Sequence, residues 1–499
     1  MPPPNILIVM TDHQRADTVL PEHPARTPTL TRFAQQGLTF TNAFCPSPHC
    51  CPSRATFFTG LYPSGHGVWN NITNEMALSR GLKPGVRLWS EDLAQAGYRL
   101  EFSGKWHVSV EESPADRGFH ERFVSSSKGT HHGLRWDRYQ AMAAQPDPQQ
   151  RGEGEILRPG YGAYSLYGDG EPDAHQHDLA ALEGALAALG ELKANRQPWC
   201  LYTSFLGPHD PYIVPQKYLD LYNIEDIQLP PSYGDTFAGK PNLYRRMREQ
   251  IFGQLSPREV REAMRHFYAY CTYLDDFFAR ILEALDATGQ AEDTLVLYCA
   301  DHGDYCGDHG LFAKGIPCFQ GAYRVPAVVR WPKGIPNPGR RLDPFVSLAD
   351  FGPTFLELAG ISVDRHFAGT SLARFLRGRS EFLLQPPQGG HDTTLTGVQG
   401  AWREEIHTQC NGVELYYCQR SVMTRDYKYT FNGFDEDELY DLRLDPHEMA
   451  NRAADPAYAA VKRDLVRRMW RFAYQQGDAL INPYITVGLA PYGPAEAFR

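Results

Sequence analysis

The strongest constraint in this chain is a repeated pairing. Short, unbroken apolar runs recur, and each is followed at once by residues able to do chemistry. Residues 5–10 (NILIVM) have no polar alternation, so a strand there must be covered on both faces. Similar runs stand at 38–44, 98–102, 199–205 and 294–300. Between them lie helical stretches at 29–36, stopped by Gly37, at 90–96, ended by Gly97, at 178–194, and at 256–286. The last begins SPRE, in which Ser256 can cap, Pro257 fits the first turn and Glu259 closes a capping box. Strands alternating with helices predict an α/β fold with a large, mostly parallel central sheet covered by helices.

Two stretches break the rhythm. Residues 145–173 are rich in Gly, Pro and charge and read as a long surface excursion, and 382–392 (FLLQPPQGGHD) is a second breaker. Strand-like pieces at 413–420, 421–431 and 438–444 then suggest a small antiparallel sheet. The expected division is a catalytic α/β unit over 1–380 and a C-terminal subdomain with that sheet and a tail over 381–499.

Composition narrows the function. The chain has 499 residues and a net charge of −10, which argues against general nucleic-acid or anionic-membrane binding, because both need a basic face. No stretch reaches the roughly 20 apolar residues that cross a bilayer. The start MPPPNILIVMTD lacks a basic region and a small-residue cleavage site, so it reads as a strand rather than a secretory signal. Ten scattered cysteines do not form a disulfide framework, and a reducing cytoplasm is expected.

In an open α/β sheet, ligands bind beyond the carboxyl ends of the strands. The residues there are Asp12-His13, Cys50-Cys51-Pro52-Ser53-Arg54, Gly104-Lys105-Trp106-His107, Pro208-His209-Asp210 and Asp301-His302-Gly303. Singly, each is more often a turn or a cap; five at one sheet edge are not explained that way. A second DHG stands at Asp308-His309-Gly310, but a strand delivers Asp301-His302 directly. Asp12, Asp301 and His302, with His13, can hold one divalent cation. Cys50 falls at the start of a helix beginning near Pro52, where free N–H groups favour an anion. Arg54, Lys105 and Lys314 add positive charge, and His107 and His209 can move protons near neutral pH. A cation, a nucleophile, several positive groups and two imidazoles suit hydrolysis of a tetrahedral anionic ester.

These residues resemble the sulfatase family of the alkaline-phosphatase-like superfamily. Cys50-Cys51-Pro52-Ser53-Arg54 with Thr59-Gly60 matches its C-x-P-S-R…TG signature. The likeness continues through Gly104-Lys105-Trp106-His107, Pro208-His209, Asp301-His302-Gly303 with Lys314, Arg324-Val325-Pro326 and Glu438-Leu439-Tyr440-Asp441-Leu442, and so spans nearly the whole chain. The resemblance implies an alkaline-phosphatase-like sandwich and a sulfuric ester hydrolase of arylsulfatase type. It implies that Cys50 is oxidised to formylglycine by a formylglycine-generating enzyme and also contacts the metal. One hydroxyl of the hydrated aldehyde would attack sulfur while the metal and Arg54 stabilise the oxyanion. His209 and Lys314 would sit on the leaving-group side, where one protonates the departing alcohol, and His107 would deprotonate the second hydroxyl to expel sulfate. Asn71, Lys105, His209 and Lys314 would contact the substrate.

The sequence departs from the family pattern in places. His13 stands where a second acid is frequent, and His302 where calcium-type members often have Asn. Calcium is the family habit, whereas nitrogen ligands favour manganese, zinc or iron. The Asp-His pair and Asn71 also resemble the phosphonate monoester hydrolase and phosphodiesterase branch, which makes such esters the alternative substrates. Gln320 replaces a common carboxylate. An inactive scaffold is disfavoured because no carried-over position is inert, and an unmodified Cys50 thiol nucleophile is a further alternative. Trp106 reads as packing, Cys299, Cys306 and Cys318 as core thiols, and His131, His132 and Trp136 as pocket-mouth or surface residues. The aromatic tail from Ile481 suggests a homodimer or homotetramer.

Overall fold

A computed structural model describes the chain except residues 1, 75, 126–150, 159–161, 171–172, 379–401, 413–414, 434 and 490–491. The breaker at 382–392 and the residues His131, His132 and Trp136 lie outside the described residues.

Ile6, Leu7, Ile8, Val9 and Met10 are all fully buried, as their lack of alternation requires. Their strand, Asn5–Thr11, lies inside an eight-stranded sheet. In spatial order the strands are Arg340–Leu342, Leu38–Phe40, Ala327–Arg330, Thr294–Ala300, Asn5–Thr11, Trp199–Ser204, Arg99–Lys105 and His120–Ser125. Only Ala327–Arg330 runs against the rest. Ile6 pairs with Leu295 on one side and Cys200 on the other, so the four central strands end level with one another.

Helices cover both faces. On one, Asp173–Leu192 and Pro257–Thr288 pack together, and the Ser103 hydroxyl donates to the Ala181 carbonyl (2.7 Å), tying helix to strand. The long helix starts as expected: Ser256 N–H donates to Glu259 Oε2 (2.8 Å) and Ser256 Oγ accepts from Glu259 N–H (3.3 Å). On the other face, Cys50–Thr59, Trp89–Gln95 and Phe351–Leu358 meet through Phe57, Phe58, Trp89 and Phe355. Trp106 is fully buried against Phe58 and Phe102, as core packing.

Several expected elements differ in extent. The run 38–44 divides into Leu38–Phe40 and Ala43–Phe44, because Thr41 and Asn42 turn the chain by bonding to Leu342 and Asp343 carbonyls. The strand expected at 98–102 continues to Lys105. The helix expected near Pro52 begins at Cys50 itself. The stretch 145–173 is not a plain surface excursion. It holds the hairpin Glu155–Arg158 and Gly162–Ser165 and the strand Tyr167–Asp169, with Ile156 and Leu166 fully buried. Glu259 anchors it by accepting from Gly154 N–H (2.9 Å) and Arg151 Nη2 (2.9 Å).

The C-terminal sheet is antiparallel and four-stranded: Ile406–Cys410, Gln419–Met423, Tyr427–Asn432 and Glu438–Asp441. The piece read as continuous over 421–431 is two strands joined at 424–426, where Thr424 N–H donates to Tyr427 O (2.8 Å). The helix Ala459–Gln475 seats Val466 and Trp470 on Val422 and Tyr429, forming a second, smaller core. No helix among the described residues is long and apolar enough to cross a membrane.

Candidate active site

Four neighbouring strand ends deliver the site. Thr294–Ala300 leads to Asp301 and His302, Asn5–Thr11 to Asp12 and His13, Trp199–Ser204 to His209, and Arg99–Lys105 carries Lys105. The register that levels these strands therefore brings distant sequence segments to one edge. Cys50 reaches the same point as the first residue of its helix, a position favouring an anion.

Two groups of potential metal donors result: Asp12, Cys50, Asp301 and His302, and beside it Asp12, His13, Cys50 and His209. The Cys50 sulfur lies 3.3 Å from His302 Nε2 and 3.6 Å from Asp12 Oδ1. His302 Nε2 is 3.5 Å from Asp12 Oδ1 and 3.8 Å from Asp301 Oδ1. His302 Nδ1 lies 2.9 Å from the Gly303 carbonyl, to which it can only donate, and this turns Nε2 to the Cys50 sulfur.

Arg54 divides the carboxylates. Its Nε donates to Asp301 Oδ2 (2.8 Å) and its Nη2 to Asp12 Oδ2 (3.1 Å). Lys105 Nζ also bonds Asp12 Oδ2. Asp12 thus turns its Oδ1 to the Cys50–His302 side, and Asp301 Oδ1 faces the same side while accepting from the His302 N–H (2.9 Å). Arg54 Nη1 is committed as well, to the Lys105 carbonyl, Tyr202 hydroxyl and Ser204 Oγ. The guanidinium acts on the centre through its field and through the carboxylates it holds.

Lys314 Nζ bonds His13 Nε2 and lies 3.1 Å from His209 Nε2. His13 Nδ1 is 3.1 Å from Asp304 Oδ2, which also accepts from the Tyr212 hydroxyl (2.7 Å). His209 is the outward member, its side chain 33% exposed. His107 lies against the Cys50 thiol, and its Nδ1 is buried with no partner among the described residues. His13 and His107 both adopt left-handed backbone (φ 66° and 57°), strain that sites retain where a side chain must be aimed. Asn71 accepts from Cys51 N–H (3.2 Å) and braces the helix start.

The electrostatics follow from burial and neighbours. Burial opposes the Cys50 thiolate, yet Lys105, Lys314 and His302 pull the thiol well below its ordinary value. Burial and Cys50 oppose ionised Asp12, but Lys105 and Arg54 hold its carboxyl well below the usual range. Burial raises Asp301 despite Arg54. Burial, followed by nearby cations, keeps His13 neutral, and burial also lowers His107.

Sequence reasoning missed Asp304, Tyr212, Tyr202, Ser204 and Asp178. Asp178 accepts from Leu206 N–H (2.5 Å) and Gly207 N–H (3.0 Å) and so fixes the loop leading to His209. Asp304 stands two positions after His302, and that proximity was the available signal. The second DHG is elsewhere: His309 pairs with Asp235 (2.6 Å) and Asp308 with Arg15 (2.7 Å).

The sequence model of the Sulfatase family matches residues 4–361. The chain belongs to the sulfatase family. It is therefore a hydrolase, of the class acting on sulfuric ester bonds. This sulfatase is 30% identical over 462 residues to a choline-sulfatase of Rhizobium meliloti (strain 1021), covering 91% of its own chain and 83% of that protein. It is 26% identical to an arylsulfatase of Clostridium perfringens, over 96% of its own chain and 98% of the other. In fold it is similar to the phosphonate monoester hydrolase of Agrobacterium radiobacter (TM-score 0.73, 23% identity, 95% and 96% covered). It is also similar to a 2-O GAG sulfatase (TM-score 0.71, 21% identity, 96% and 93% covered).

Proposed function

We propose that this sulfatase hydrolyses a small anionic sulfate monoester through a formylglycine made from Cys50, with one divalent cation at the same centre. The observation that carries this is the placement of the Cys50 sulfur at a helix start, 3.3 Å from His302 Nε2 and 3.6 Å from Asp12 Oδ1. The donor set fits a cation: each carboxylate turns one oxygen to the cluster while Arg54 holds the other, and His302 turns its Nε2 to the Cys50 sulfur. Asp12, Asp301, His302 and residue 50 would hold it, and it would polarise a sulfuryl oxygen as a Lewis acid. The oxygen and nitrogen donors favour manganese or a similar transition ion over calcium. Formylglycine supplies a hydrated aldehyde, one hydroxyl for attack and one for product release.

The chain's own side chains do the rest. Lys105 and Lys314 hold the anionic oxygens, and Asn71 keeps the helix start in place. His107, against residue 50, takes a proton there. Lys314 and His209, 3.1 Å apart, face the outward side and deliver a proton to the leaving alcohol. A converting enzyme is the implied partner. The ten cysteines, all unpaired, support a reducing, cytoplasmic setting. The exposed Tyr484, Val487 and Phe498 of the tail support self-association.

A second reading, phosphonate monoesters or phosphodiesters at the same site, is favoured by the nitrogen donor at His302. The test compares kcat/KM on aryl sulfate, phenyl phosphonate and a phosphodiester, using protein of measured formylglycine and metal content. The sulfate is expected to lead. A sulfate rate orders of magnitude below the others would transfer the assignment to the second reading.

A further inference from the structure

We propose that before conversion the Cys50 thiolate is itself a metal ligand, completing a sulfur–nitrogen–oxygen–oxygen site selective for a zinc-like cation, and that conversion to formylglycine switches this preference toward harder ions. The inference rests on the metal site proposed above and concerns the unmodified chain.

Four of the six donor–donor distances suit a tetrahedral ion, and all four donor atoms lie within 4.8 Å of one another. Cys50 Sγ to His302 Nε2 is 3.3 Å, Cys50 Sγ to Asp12 Oδ1 3.6 Å, His302 Nε2 to Asp12 Oδ1 3.5 Å and His302 Nε2 to Asp301 Oδ1 3.8 Å. A tetrahedral zinc with bonds of about 2.0–2.3 Å places its ligands roughly 3.3–3.8 Å apart. All four donor side chains are buried, so no solvent competes from their flanks. The outer supports match a zinc site too. His302 Nδ1 is engaged by a backbone carbonyl, and each carboxylate has its second oxygen held by Arg54. Lys105 beside Asp12 offsets the extra negative charge that a thiolate and two carboxylates leave on a divalent ion.

Chemistry then separates the two forms of the protein. A thiolate is a soft donor that selects zinc over manganese or calcium, whereas a carbonyl hydrate is a hard oxygen donor that does not. Binding to the unmodified chain forms the sulfur–metal bond as the S–H bond breaks, and the proton passes to solvent. No oxidant or reductant is involved.

The test uses full-length protein produced without the converting enzyme, with cobalt(II) as a spectroscopic stand-in for zinc. A thiolate-to-cobalt charge-transfer band in the near ultraviolet is expected for the Cys50 protein and not for Cys50→Ser, whose fold is checked by circular dichroism. Calorimetry should show zinc affinity falling about tenfold or more in Cys50→Ser or on conversion, with manganese affinity changing much less. Cobalt bound without the band, or equal zinc affinity in all forms, would overturn the thiolate ligand and leave the cation site standing. If neither converted nor unconverted protein binds any divalent ion, both proposals fall. Should Cys50→Ser not fold, loss of the band in protein whose Cys50 has been converted to formylglycine supplies the same comparison.

Discussion

Lys314 and His209 sit on the side of Cys50 that opens to solvent, so their contribution should depend on what leaves. His209→Ala is expected to lower kcat by about 10²–10⁴ for an alkyl ester, which needs a proton on its departing oxygen. The loss should be much smaller for a nitrophenyl ester, and a plot of log kcat against leaving-group acidity should steepen; an equal loss on both would remove His209 from that role. Arg54 makes a different prediction. Its planar fork reaches both carboxylates at once, which an ammonium cannot do. Arg54→Lys should weaken divalent-cation binding about 10–100-fold, read by calorimetry, and destabilise the fold by roughly 3–5 kcal/mol, read by urea unfolding. Most contributors of this kind were legible, because Asp12, Lys105, His209 and Asp301 each stand within a few residues of the end of an apolar run. Tyr212 and Asp178 were not, since each acts through a partner far away in sequence and belongs to no local pattern, and Asp304 offered only its place two positions after His302.

At the scale of elements, the strand Arg99–Lys105 shows how closely the site depends on backbone fit. Gly104 has φ +130°, and a Cβ there would lie 1.9 Å from the Ser204 carbonyl oxygen of the neighbouring strand. Gly104→Ala must push the two strands apart just where Lys105 and Ser204 meet Arg54. It should cost several-fold more activity than stability, with kcat/KM falling by about 10²-fold from displacement of the positioned groups. Comparing kinetics with thermal unfolding of the same sample checks this, and unchanged kinetics would contradict it. Strands with continuous apolar sequence and the capped helix Pro257–Thr288 were predictable from composition and cap residues alone. The hairpin at Glu155–Arg158 and Gly162–Ser165 was not. Its Gly- and Pro-rich sequence has loop character, and its order comes from docking onto Glu259 of the long helix.

For the molecule as a whole, one buried carboxyl sets part of the pH response. Burial pushes Asp178 up to about 7, although Leu206 and Gly207 donate to it. Its protonated form is favoured in the fold, so its stabilising contribution is complete below the ordinary carboxyl value of 3.8 and is lost as pH rises through about 7. Asp178→Asn removes that titration. Its stability relative to the parent should therefore improve by on the order of 3 kcal/mol between mildly acidic and mildly alkaline pH, measured by denaturant unfolding across the range. A difference that does not vary with pH would refute the assignment.

The centre's four donors come from positions 12, 50, 301 and 302. A ribosome-bound chain that has not yet extruded the later pair holds only half of the ligands, and a lone Asp and Cys grip an ion weakly. On the proposed metal centre, ion capture would therefore follow synthesis of the middle of the protein.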